Sequence, residues 1–474
     1  MSQPFSLSRR HFLESVGASA SLSLFSSSPV LGAENPPWWT QGNFAPVRLE
    51  LFSDHLETIG TIPRSISGLY IRNGSNQKAG DAKHFFTGDG MLHGVRISDG
   101  KVDWYRNRWI ETPILGKRSK LGMPMPDQNP SNTNVIFHGG RILSLYEAGM
   151  PFEVGVNLST VGSFDYGGDL QRNMTAHPKV DPETGELFGY GMNLFSRPYL
   201  NYFVIGPDGH MMLSRNIHMP KSVMMHDLQI TKRFAIFFDF PIVFDALALL
   251  RGEMPYKWDP ELGARIGVMP RYGDADSVRW FPVSLGALFH SVNAFEQTDD
   301  PEVIVIEGSR LPQAFANGAN ASDGEPIYYR WTVHLREGYI EEGPLDDRLT
   351  DFSKIDPRFQ GRPHSVSFHM SLREPETSDS GMYFSGMIRY ERESLRSQQY
   401  LFPDGLVPEE MTFVPDRPDA AEGEGWLMGY VYSAAEHSSE FQIFDATELA
   451  KGPVARVKLP QRVPSGFHGC FVPS

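Results

Sequence analysis

Cysteine is almost absent: 474 residues contain one, Cys470. No disulfide can close within the chain and no thiolate cluster can form, so any metal here is held by nitrogen or oxygen. Long apolar runs are missing too. The apolar stretch from Phe234 to Leu250 is broken by Asp239, Pro241 and Asp245, and a helix carrying those residues would not cross a bilayer cheaply. Charge is sparse, at 21% of residues, and tilted to acid: 43 Lys and Arg against 57 Asp and Glu give a net charge of −14. There is no basic stripe in the mature region, which argues against nucleic acid as a partner. No WD or kelch-type repeat is visible, so any repeated units have diverged in sequence.

What is abundant is glycine, proline and aromatic residues: 45 Gly, 36 Pro and 12% Phe, Trp and Tyr. Short β-rich runs such as Gly68-Leu-Tyr-Ile-Arg72, Arg141-Ile-Leu-Ser-Leu-Tyr146 and Pro301-Glu-Val-Ile-Val-Ile306 recur after residue 45. Hairpin signals stand between them, among them Asp181-Pro-Glu-Thr-Gly185 and Gly206-Pro-Asp-Gly209. The pattern predicts an all-β fold, and the length suits a propeller of roughly six to eight four-stranded blades better than one sandwich.

The chain opens with Ser8-Arg9-Arg10-His11-Phe12-Leu13, then a Ser/Ala-rich, weakly apolar stretch and a small-residue exit near Gly32-Ala33. This layout predicts an export signal of the twin-arginine type over residues 1–33 and a periplasmic or exported protein, with one domain over 34–474. Within that domain, about 240–273 interrupts the strand pattern. Asp245-Ala-Leu-Ala-Leu-Leu250 reads as a short helix, and the segment reads as a lid or as ordinary core packing.

Four of the 15 histidines share a setting of apolar or small neighbours: His177, His226, His290 and His468. Each is expected to point inward, and a buried imidazole needs a partner. Their gaps of 49, 64 and 178 residues match about one, one and three blades of roughly 63 residues. The spacing alone leaves metal binding and core packing both open. Were they ligands, four imidazoles without thiolate would suit Fe, Zn, Cu or Ni. Their scatter along the chain would favour a catalytic site built by the whole fold over a local structural zinc.

The chain resembles the carotenoid cleavage oxygenases. The resemblance rests on Gly68-Leu-Tyr-Ile-Arg-Asn-Gly74, His84-Phe-Phe-Thr-Gly-Asp-Gly-Met-Leu-His93, Asn132-Thr-Asn134, Glu147-Ala-Gly-Met-Pro151, the segments of the first three histidines, Phe413-Val-Pro415, Phe444-Asp-Ala446 and Gly466-Phe-His-Gly469. It implies a seven-bladed β-propeller with a helical or loop dome over one face and one Fe(II) per chain on the axis, held by His177, His226, His290 and His468. It also implies carboxylates that orient three of these rings, Glu147 on His226, Glu410 on His468 and Asp351 on His290. The family usually has Glu at the Asp351 position, so the shorter side chain calls for a closer backbone or a bridging water. Restoring Glu at 351 is then expected to retain or tighten iron. Thr133 matches a residue whose methyl group crowds an open iron position.

The reaction so implied inserts O2 across a C=C bond of a carotenoid or apocarotenoid and releases two carbonyl fragments. Stilbenoid cleavage is the alternative, although Tyr146 stands where that branch has a lysine. An alternative of another class is a non-catalytic periplasmic propeller that binds metal or lipid. The expected partners are an apolar polyene or stilbenoid and O2, with peripheral membrane contact through the lid.

Overall fold

Strand Lys101–Trp109 carries the alternation that drives the fold, its inward positions becoming fully buried toward the C-terminal end. Strand Gly68–Ser75, by contrast, is buried at every position, as expected of a strand covered on both faces. Packing such sheets face to face around an axis satisfies both patterns at once. The computed structural model describes residues 36–474 apart from 81, 83, 118–126, 252–253, 317–323 and 374–382. The expected export signal lies outside the described residues.

Seven antiparallel blades follow one another. Their innermost strands, in ring order, are Gly469–Pro473 (blade 1), Asn134–His138 (blade 2), Lys179–Val180 (blade 3), Leu228–Ile230 (blade 4), Ala287–Glu296 (blade 5), the end of Tyr339–Ile355 (blade 6) and Thr412–Pro415 (blade 7). Blades 5 and 6 share the 17-residue strand Tyr339–Ile355, which pairs first with Ile327–His334 and then, past residue 349, with Val366–Leu372. Neighbouring innermost strands touch around most of the ring, and Asn134 Nδ2 donates to Ala176 O at 2.7 Å between blades 2 and 3. The two chain ends lock the circle. Gly469–Pro473 pairs with Gly68–Ser75, while Thr58–Gly60 pairs with Pro453–Lys458 of blade 7. The seven-bladed propeller expected from the sequence is the fold.

The lid segment needs one correction. Ala264–Pro270 is an ordinary blade 4 strand, paired residue for residue with Phe234–Asp239 and fixed by an Arg265–Asp239 ion pair at 2.7 Å. The excursion from the blade therefore ends by residue 263 rather than at 273. It consists of the two-stranded hairpin Ile242–Phe244 with Tyr256–Trp258 and the helix Ala246–Arg251. Asp245 starts that helix, its Oδ1 accepting the N–H groups of Leu247 and Ala248. Ile242 packs with Met224, Phe289 and Phe315, so the excursion lies at the end of the ring where His226 and His290 stand. This is the only α-helix among the described residues, and the dome is otherwise loop and hairpin.

Candidate metal centre

Each innermost strand carries a predicted site residue at or just before its entry. His468 precedes the strand of blade 1, Thr133 that of blade 2, His177 that of blade 3 and His226 that of blade 4. His290 and Asp351 lie within the strands of blades 5 and 6, and Glu410 precedes that of blade 7. Glu147 adds a second residue from blade 2, beyond the strand Arg141–Leu145. A β-bulge turns His290 inward, because the pairing of Ala287–Glu296 slips between Leu288 and Ser291. His468 is placed by its backbone: its N–H donates to Thr133 O at 3.1 Å and its O accepts from Asn73 N–H at 2.9 Å.

The four imidazoles converge. One ring nitrogen from each lies within 4.8 Å of those of the others, and ring centroids stand 4.4 Å apart for His177 and His226 and 4.8 Å for His290 and His468. Nε2 of His177 and of His290 is buried and has no hydrogen-bond partner. Buried polar atoms are normally satisfied, so two orphaned nitrogens aimed into a four-nitrogen cluster fit a metal ion. Burial pushes His177 well below the ordinary imidazole value, and the neighbouring histidines push it the same way. His468 is lowered to about 4 by burial, partly offset by Glu410. Both rings are therefore neutral near pH 7 and able to ligate.

The expected carboxylate partners are in place. His290 Nδ1 donates to Asp351 Oδ1 at 2.9 Å and His468 Nδ1 to Glu410 Oε1 at 2.9 Å. His226 Nδ1 is 3.0 Å from Glu147 Oε2, at ion-pair distance but without hydrogen-bond alignment. Burial raises Glu147, with His226 opposing it. For Glu410 burial also raises the pKa, but Lys354 and His468 outweigh it and hold it at about 2. Asp351 reaches His290 directly, with no bridging water required. The Thr133 hydroxyl is tied to Asn132 Oδ1 at 3.1 Å.

Sequence reasoning missed several residues here. Phe352 adopts a left-handed φ of 51°. Its ring stacks on His468 at 4.8 Å and lies 4.5 Å from His290. Lys354 pairs with Glu410 at 2.8 Å. Asp227 ties Lys179 of blade 3 to Ser291 of blade 5. Phe289 stands 5.5 Å from His226, with Phe315 and Tyr256 beyond it, so the approach to the cluster is aromatic.

The family model for retinal pigment epithelial membrane protein matches residues 44–473. The chain belongs to this family, that of the carotenoid cleavage oxygenases. It is 32% identical to a carotenoid cleavage oxygenase of Mycobacterium tuberculosis, over 93% of this chain and 98% of that one. It is equally 32% identical to an isoeugenol monooxygenase of Pseudomonas nitroreducens, over 91% and 97%. Among solved structures, a lignostilbene dioxygenase of Pseudomonas brassicacearum superposes with a TM-score of 0.85 at 27% identity, covering 92% of this chain and 98% of that one. The chain is an oxygenase-type oxidoreductase of this family, and its four-histidine cluster could hold a metal ion.

Proposed function

We propose that the chain is an Fe(II)-dependent dioxygenase that cleaves a C=C bond of a carotenoid or apocarotenoid with O2 to give two carbonyl products. The observation that carries this reading is the convergence of four imidazoles from four blades, those of His177, His290 and His468 buried and that of His226 half-buried, with three of the four facing carboxylates. Bound iron would supply the dioxygen chemistry, with the alkene as the source of electrons. The chain's residues do the rest. Asp351 and Glu410 engage Nδ1–H of His290 and His468, which leaves Nε2 free to face an ion. Thr133, whose carbonyl accepts the His468 N–H, would limit the space beside a bound ion. Phe289, Phe315 and Phe352 line the approach with apolar surface suited to a polyene.

Stilbenoid or related phenylpropenoid cleavage is the second reading, favoured by the lignostilbene and isoeugenol relatives. At the position of that branch's lysine stands Tyr146, its phenol pushed up to about 12 by burial and then by Glu147. It can offer a substrate hydroxyl a hydrogen bond but no charge. A non-catalytic binding propeller is not favoured by relatives named as oxygenases. The twin-arginine-like leader supports export to the periplasm, and exposed Leu247 and Phe195 support peripheral membrane contact beside the excursion.

The test is oxygen uptake by Fe(II)-loaded protein offered an apocarotenal and a hydroxystilbene side by side, with products read by mass. Two carbonyl fragments from the polyene support the first reading, and fragments from the stilbene alone support the second. No uptake with either, in protein holding iron, would remove both.

A further inference from the structure

Of the three carboxylates facing ligand histidines, only Glu410 also meets a cation among the described residues. Lys354 Nζ lies 2.8 Å from Glu410 Oε1, the oxygen that accepts His468 Nδ1–H, while Oε2 accepts Gly469 N–H at 2.8 Å. Lys354 reaches this position through a bulge. Asp351 pairs with Met370 and Lys354 with Phe368, three steps along one strand against two along its neighbour. In a regular strand residues three apart face opposite sides; here Asp351 reaches His290 and Lys354 reaches Glu410, the carboxylate behind His468.

Charge gives this contact its meaning. Neutral imidazoles bring none, so Glu147, Asp351 and Glu410 would leave a divalent ion overcompensated by one negative charge, which Lys354 cancels. The other acidic groups nearby are matched independently. Asp227 has Lys179 and Ser291, and Glu409 accepts from Asn43, Ser465 and Gly466. A buried charge left without its partner is strongly unfavourable, and partners behind a ligating histidine tune metal affinity.

We infer that Lys354 is a positioning residue of the metal centre: it supplies the counter-charge that fixes Glu410 and, through Glu410, the His468 ring. This rests on the reading of the four histidines as ligands. Wild-type protein, Lys354→Met, Lys354→Gln and Lys354→Arg, each stripped of metal, are titrated with Co(II), and affinity and the visible d–d band are recorded. Lys354→Arg should resemble wild type. Lys354→Met and Lys354→Gln should each bind about 10-fold more weakly, with an altered band. Gln can still donate a hydrogen bond but carries no charge, so wild-type affinity in Lys354→Gln would overturn the counter-charge role. A lowered melting temperature with unchanged Co(II) affinity and band would make Lys354 merely structural and overturn it as well. If Lys354→Met does not fold, the Gln and Arg variants carry the comparison. Failure of the wild-type protein to bind Co(II) would instead remove the ligand reading beneath it.

Discussion

Asp351 is one methylene shorter than the glutamate that the family resemblance leads one to expect, yet it meets His290 directly. The contact is 2.9 Å, and the next residue, Phe352, adopts the left-handed region, a conformation costing about 1–2 kcal/mol for such a residue. The same Oδ1 accepts Phe352 N–H, so the carboxylate is held at both its neighbours. From the sequence, Glu at 351 was expected to retain or tighten iron; the closed geometry points the other way. Asp351→Glu pushes the carboxylate into His290, and Co(II) titration should read an affinity about 10-fold lower. Gly466 is a second position where one atom decides. A Cβ there would fall 1.3 Å from Arg72 Nη1, and Arg72 Nη2 holds Pro464 O at 2.6 Å, two residues before Gly466. Gly466→Ala should therefore lower stability by about 1–3 kcal/mol in urea unfolding and also weaken metal retention, because the displaced loop carries His468. The four histidines were legible because apolar neighbours mark them as inward. Arg72 was not, since its partner lies 392 residues away.

At the scale of elements, strand character was legible from alternation and turn residues, and the bulges were not. Those at His290 and at 351–354 arise from pairing with neighbouring strands, and no local propensity announces them. The shared strand Tyr339–Ile355 joins blades 5 and 6, and a buried network backs it. Glu307 accepts from Tyr328 and Arg330, with His364 at 3.4 Å. Burial raises Glu307, but His364 and Arg330 overcome it and hold the carboxyl at about 2. A folded-state pKa below the unfolded one stabilises the protein at pH values above the unfolded value, and that contribution fades as pH falls toward the folded one. Glu307→Gln should thus cost about 3 kcal/mol at pH 7 by stranding Arg330. The gap between wild type and variant in urea midpoint should narrow from about pH 4.5 down to about 2. A gap independent of pH would show that packing, not charge, is what Glu307 contributes.

Across the whole molecule, length and turn spacing pointed to a propeller, whereas the clasp between chain ends could not be read from divergent blades. That clasp matters to the site, because His468 immediately precedes the closing strand Gly469–Pro473. Blades 1, 3, 4 and 5 supply the histidines, and blades 2, 6 and 7 supply Glu147, Asp351 and Glu410. An ion on the axis would therefore be bound only when the blades are correctly arranged around the ring. An unfolded chain lacks that arrangement, so binding stabilises the native state by mass action, about 2.7 kcal/mol at 100 times Kd. Urea unfolding of the stripped protein should shift to higher denaturant on adding Co(II) and return on chelation. His290→Ala removes one ligand while leaving the other blades paired, so its metal-free midpoint should stay near that of wild type and its shift with Co(II) should vanish. A shift that survived His290→Ala would place the stabilising metal somewhere other than this cluster.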